Sequence, residues 1–157
     1  MWDVVWSEFA AGIPSAEQLV RACVRIVLAA LLGALLGIQR ESWGKPAGIR
    51  THMLVAMGAA LFVFAPLESG VPTADASRLV QGVATGIGFI GAGAILKLAR
   101  EREVEGLTTA AGIWMTAAFG MAVGFGRLGT AIASAALAFV VLEGVGRLAS
   151  QDSADDR

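Results

Sequence analysis

Uncharged apolar runs alternate with short polar breaks along this chain, and the runs are too long for the elements of a water-soluble core. The first run covers about 17–39, with an uncharged centre from Ile26 to Gln39. The second covers Thr51 to Leu67, and Pro66 and Gly70 mark its end. The third, Leu79 to Leu96, carries no charge and is capped by Asp75 or Ser77. The fourth, Leu107 to Gly126, is a 20-residue uncharged run. The fifth, Leu128 to Leu142, is short and must recruit Gly144 and Val145 past Glu143. A hydrocarbon layer of about 30 Å takes about 20 residues of helix to cross. The pattern therefore predicts an all-α polytopic membrane protein, a bundle of about five short transmembrane helices. Gly126 and Arg127 leave almost no loop between the fourth and fifth runs, so those two form a tight antiparallel hairpin.

Residues 1–14 read differently. Trp2, Val5, Trp6 and Phe9 recur at helical spacing, with Asp3, Ser7 and Glu8 elsewhere on the wheel. That is an amphipathic segment suited to the membrane interface, where Trp is enriched. Gly12 and Pro14 break it, and Ser15 with Gln18 three residues on predicts a capping box that starts the first span. Met1-Trp2-Asp3 lacks the basic stretch of a secretory signal.

Composition agrees: 56% of residues are hydrophobic, 16% are charged, and mean hydropathy is +0.69. A soluble domain of this size would expose too much apolar surface. The single cysteine, Cys23, has no partner for an internal disulfide and reads as a packed small apolar residue. Arg21 and Arg25 lie one turn apart near the start of the first span, placed to snorkel to the headgroups. Basic residues are unevenly shared. Arg40, Lys45, Arg50, Lys97, Arg100, Arg102, Arg147 and Arg157 fall on one side, against Arg21, Arg25, Arg78 and Arg127 on the other. The positive-inside rule places the C-terminus in the cytoplasm and the N-terminus outside. Lys97 to Glu105 alternates charge signs and reads as a solvated loop, and 149–157 reads as a short acidic, disordered tail.

Candidate chemistry is sparse. Gly86-Ile87-Gly88-Phe89-Ile90-Gly91 matches a dinucleotide fingerprint as a string, but it sits inside an apolar run with no strand before it. Glycines instead allow membrane helices to approach closely. Gly33 with Gly37, Gly82 with Gly86, and Gly120 with Gly124 form such pairs, and Gly88, Gly91 and Gly93 extend small surfaces around the third span. Two readings of that span stay open: a helix packed on most sides, or an ion-facing break whose carbonyls line a conduit. Polar groups at membrane depth are few, namely Gln81, Thr85, Thr108, Thr109 and Thr116, and no ionisable group sits at the centre of a span. That counts against a pump or coupled transporter. No nucleophile–base pair or carboxylate pair offers catalysis, and no cofactor is implied. No metal site is assigned; Glu68 and Asp75, in one outer loop, are the carboxylates that a hydrated Mg²⁺ would want if they lie close in space.

The break after the first span is the unusual one: Arg40 and Glu41 end that span, Lys45-Pro46-Ala47-Gly48 turn, and Arg50, Thr51 and His52 open the next. Lys45 before Pro46 is driven to an extended or turn conformation. The turn is expected to bring Glu41 against Arg50 at headgroup level, where partial desolvation strengthens pairing. The bland reading is a solvated loop whose cations only set topology or hold anionic lipid. His52, with no second His or Cys, reads as an interfacial polar residue.

Taken in order, Gly37-Ile38-Gln39-Arg40-Glu41, Lys45-Pro46-Ala47-Gly48-Ile49-Arg50-Thr51-His52, Asp75-Ala76-Ser77-Arg78, Gly86 to Gly93, and Gly106-Leu107-Thr108-Thr109-Ala110-Ala111 closely resemble the MgtC/SapB family of bacterial membrane proteins, over roughly 20–146. The resemblance implies an inner-membrane protein of about five spans with a periplasmic N-terminus, occupying 15–148 here. It implies a non-enzymatic regulator of a membrane partner or of magnesium and ion homeostasis under low magnesium, with the F-type ATP synthase among the partners. A homo-oligomer is expected as the assembly. Its motifs nominate Arg40, Glu41, Lys45, Pro46, Gly48, Arg50 and Thr51 as a functional polar cluster. They also nominate Asp75 and Arg78 in the outer loop, Gly82, Gly86, Gly88, Gly91 and Gly93 for packing, and Gly106, Thr108 and Thr109 at the opening of the fourth span. The chain departs from the family pattern at Gln39, Ala76 and Glu105, and the soluble domain that follows the spans in many members is not in this sequence.

Overall fold

The computed structural model describes residues 1–11, 14–98 and 106–145, and the regular structure among them is helical throughout. Helix α1 is Trp2–Ala11, α2 Ala16–Ser42, α3 Ile49–Glu68, α4 Ala76–Leu98, α5 Leu107–Gly124 and α6 Leu128–Val140. A 3₁₀ turn, Thr73–Asp75, leads into α4, and α6 runs on as a π-helical turn, Val141–Val145. Helices α2 to α5 are each long and apolar enough to cross a membrane, and α6 with its π turn is the shorter fifth. The 18 residues of α5 rise about 27 Å. This is an all-α polytopic membrane protein.

Local chemistry sets the ends. Ser15 Oγ accepts from the Gln18 N–H at 3.2 Å and Gln18 Oε1 accepts from the Ser15 N–H at 2.8 Å, closing the expected capping box on α2. Pro66 does not stop α3. The helix passes through it to Glu68, and the N–H of Val71 bonds back to the Pro66 carbonyl at 3.0 Å. A proline costs the helix one hydrogen bond, which two remaining residues tolerate. Asp75 closes the 3₁₀ turn, and Ser77 lies inside α4. The α5–α6 hairpin is as tight as expected. Gly126 takes φ +74°, which lets the Gly126 and Arg127 N–H groups reach the Val123 and Ala122 carbonyls at 2.8 Å each.

Helix α5 holds the centre, packed against α2, α3, α4 and α6. Being apolar on every side, it can be buried on every side. One core joins Leu32, Leu36, Ala56, Phe119, Val123 and Ala135; a second joins Ala59, Val63, Ile87, Ile113, Ala117 and Met121. Small residues set the spacing. A Cβ on Gly120 would lie 2.5 Å from the Ala56 carbonyl oxygen, and one on Gly124 would lie 2.6 Å from that of Ala60. On α2, a Cβ on Gly33 would meet the His52 carbonyl oxygen at 2.5 Å, and one on Gly37 the Ile49 Cα at 2.5 Å.

The third span departs from its expectation. A Cβ on Gly82, Gly86, Gly88 or Gly93 would meet nothing within 4 Å, and one on Gly91 would make ordinary contact with Ala110. Helix α4 is therefore peripheral within the protomer. Gly82, Gly86 and Gly93 leave one face bare and Gly88 opens another side, while the pairs on α2 and α5 make the close crossings. Cys23 is exposed on α2 rather than packed. The break at Gly12, the charged segment 99–105 and the tail 149–157 lie outside the described residues.

Candidate functional site at the α2–α3 hairpin

Helix α2 ends through Gly44, whose φ of +65° turns the chain so that the Lys45 N–H reaches the Arg40 carbonyl at 3.0 Å. Four residues later Gly48 stands at the N-cap of α3 and has no side chain to cap it. Glu41 performs that task from the preceding helix: its Oε2 accepts the Ile49 N–H at 3.0 Å. A carboxylate there satisfies an orphan donor and meets the positive end of the helix dipole. Glycine at 48 leaves the room, because a Cβ there would collide with Glu41 Oε2. The expected Glu41–Arg50 ion pair is absent; the cap takes the carboxylate, and Arg50 stays exposed.

The nominated cluster thus divides by depth. Lys45, Pro46 and Arg50 are exposed, and Gly48 and Thr51 are half-buried. Arg40 turns inward and is only 3% exposed. Its Nε and Nη2 have no hydrogen-bond partner among the described residues. These two nitrogens share one edge of the guanidinium, the edge that grips a carboxylate or phosphate in parallel bonds. Beside it, Gln39 donates Nε2 to Glu143 Oε2 at 3.2 Å, tying α2 to the π turn after α6, while its Oε1 is buried without a partner among the described residues. His52 is fully buried, not interfacial. Its Nδ1 lies 3.1 Å from the Gly48 carbonyl oxygen, and its Nε2 has no partner among the described residues and faces Gly112 of α5, 3.7 Å from where a Cβ would be. A buried layer of Gln39, Arg40 and His52 therefore lies under the exposed turn.

The opening of α5 belongs to the same face. Gly106 starts it at φ +90°, Thr109 is buried one turn from Gly112, and Thr108 is exposed. Thr116 Oγ1 donates to the Gly112 carbonyl at 2.8 Å. Asp75 and Arg78 sit at the other end of α3 and α4, apart from this layer. Glu68 is exposed, and no group of three potential metal ligands occurs among the described residues. The glycines of α4 do not enter the layer.

The MgtC family model matches residues 26–151. The chain belongs to the MgtC family. Protein SrpB of Synechococcus elongatus is 44% identical over 135 residues, which is 79% of this chain and 74% of SrpB. YhiD of Escherichia coli K12 is 42% identical over 127 residues, covering 76% of this chain and 58% of YhiD. Protein MgtC of Salmonella typhimurium LT2 is 37% identical over 111 residues, covering 71% of this chain and 46% of that MgtC. The chain thus spans about half the length of the latter two. No solved structure matches it.

Sequence reasoning gave His52 and Glu143 no place in this candidate site, read Gln39 only as a departure from the family pattern, and nominated Arg40 without placing it in the buried layer. His52 shares the 52, 56, 59, 63 stripe with Ala56, Ala59 and Val63, and that stripe is the buried face of α3. Gln39 and Arg40 continue the buried stripe of Leu32, Gly33, Leu36 and Gly37. Both signals were in the helical period. Glu143 had none, because a π turn resets the phase of the helix.

Proposed function

We propose that this MgtC-family chain is a non-enzymatic regulator in the bacterial inner membrane. It serves adaptation to low magnesium by engaging a membrane partner through the α2–α3 hairpin. One observation carries the reading: a guanidinium edge, an imidazole nitrogen and an amide oxygen are buried without partners among the described residues, beneath a turn bearing two exposed cations. Burying such groups unsatisfied costs stability. Their cost is accepted where a site is kept ready for something other than folding. The magnesium link rests on family membership and on YhiD, provisionally named as a magnesium transporter. The peripheral place of α4 disfavours the alternative, a conduit lined by its glycines within one protomer.

In this reading the N-terminus is periplasmic and the C-terminus cytoplasmic, so the hairpin faces the cytoplasm. Residues 1–14 lie at the interface, 15–148 form the membrane domain, and 149–157 are a tail. The bare glycine face of α4 supports a homo-oligomer, and the resemblance names the F-type ATP synthase as a partner to test. Complementation of a low-magnesium growth defect tests the reading. Lys45→Gln and Arg50→Gln remove exposed charges that make no side-chain hydrogen bond or ion pair among the described residues, so each should impair growth at unchanged membrane level. Full growth by the double variant would reduce the hairpin to an orientation signal.

A further inference from the structure

At the opposite membrane face, the start of α2, the end of α3, the 3₁₀ turn and the end of α5 enclose an open cleft of about 340 Å³, lined by Arg21, Arg25, Phe64, Glu68, Thr73 and Phe125 among others. Its arginine is held in place. Arg25 donates Nη1 to the Gly124 carbonyl at 2.8 Å, at the negative end of α5. Its guanidinium carbon stands 4.7 Å from the centre of the Phe64 ring. Gly126 keeps the space clear, since a Cβ there would lie 2.9 Å from Arg25 Nη2. Arg21, one turn earlier, is paired with Glu17 on the exposed surface. Glu68 faces the cleft with no ion pair among the described residues.

We propose that this cleft binds the headgroup of an aminophospholipid, with the phosphate on Arg25 and Arg21 and the primary ammonium on Glu68. The cleft lies where spans end, at the depth of lipid phosphates. Guanidinium is the side chain best matched to phosphate. The carboxylate decides the class. It repels a purely anionic headgroup and accepts hydrogen bonds from a primary ammonium, which a quaternary ammonium cannot donate. Phe64 is already covered by Arg25, so no open aromatic face there favours choline. Phe125 and the neighbouring apolar side chains receive the glycerol and first acyl carbons.

Native mass spectrometry of the full chain, titrated in detergent with phosphatidylethanolamine, phosphatidylcholine and phosphatidylglycerol, tests this. The parent should prefer phosphatidylethanolamine about five-fold over each of the others, the factor an exposed charge pair of about 1 kcal/mol provides. Glu68→Gln should erase the preference over phosphatidylcholine and leave phosphatidylcholine binding unchanged. Arg21→Gln should weaken both lipids alike, by about two- to five-fold. Both side chains are exposed, so the variants fold. Equal binding of the two lipids by the parent would overturn the proposal. So would a preference that survives Glu68→Gln, or lipid binding indifferent to Arg21→Gln.

Discussion

Gly120→Ala adds one methyl group to the middle of α5, at its close backbone crossing with α3. The new Cβ would lie 2.5 Å from the Ala56 carbonyl oxygen and 3.0 Å from the Ala56 Cα. Both are backbone atoms of α3, so no side chain can swing aside, and α3 and α5 must separate. Overpacking of this kind costs about 1–3 kcal/mol. Alanine returns up to about 1 kcal/mol of helix propensity, so the net loss should be about 1–2 kcal/mol. Gly86→Ala is the matched control. It makes the same chemical change on α4, where the Cβ meets nothing within 4 Å of the same chain. It should leave the protomer as stable as the parent or slightly more so. Reversible unfolding in mixed micelles, followed by circular dichroism under conditions where the chain is monomeric, measures both. Equal stability of Gly120→Ala and the parent, or an equal loss in Gly86→Ala, would refute the packing assignment.

Arg40→Met should leave stability unchanged or raise it by about 1–3 kcal/mol in the same assay, because an apolar side chain of similar length replaces a buried cation whose Nε and Nη2 have no acceptor among the described residues; a loss above about 3 kcal/mol would mean that the guanidinium is paired in solution. The same variant should fail to complement growth in low magnesium. Glu41→Ala should cost about 1 kcal/mol by uncapping Ile49, and Glu41→Gln clearly less, since its amide oxygen still accepts the N–H; identical losses would remove the cap from the account. A reporter fused after Arg147 should be cytoplasmic and one at Gly70 periplasmic, from the asymmetry of basic residues, and the reverse pattern would invert the orientation.

The spans were legible because their signal is composition over about 20 residues, and every run read from the sequence became a helix. The glycine pairs on α2 and α5 were legible too, since small residues four apart mark close crossings. The same rule misplaced α4. Glycine spacing says that a face is smooth, not whether the partner covering it lies in the same chain. At the hairpin, the sequence reading paired Glu41 with the wrong group. Charge complementarity pointed to Arg50, whereas a backbone N–H at a helix start with no capping side chain was the nearer claimant. His52 was read from its position at the edge of a span rather than from its phase within the helix.

The central claim is that the turn over the buried Gln39, Arg40 and His52 layer is where a partner engages. Photocrosslinking in living cells tests it most directly, with the crosslinker placed at position 45 on the turn or at position 62, where the exposed Phe62 of α3 faces outward. A discrete protein adduct from position 45 should grow when magnesium is withdrawn and disappear in the Arg50→Gln background, while position 62, beside Gly82 and Gly86 of α4, should give only adducts to lipid or a second copy that do not change with magnesium. Adducts from position 45 that match those from position 62, or that ignore magnesium and Arg50, would contradict it.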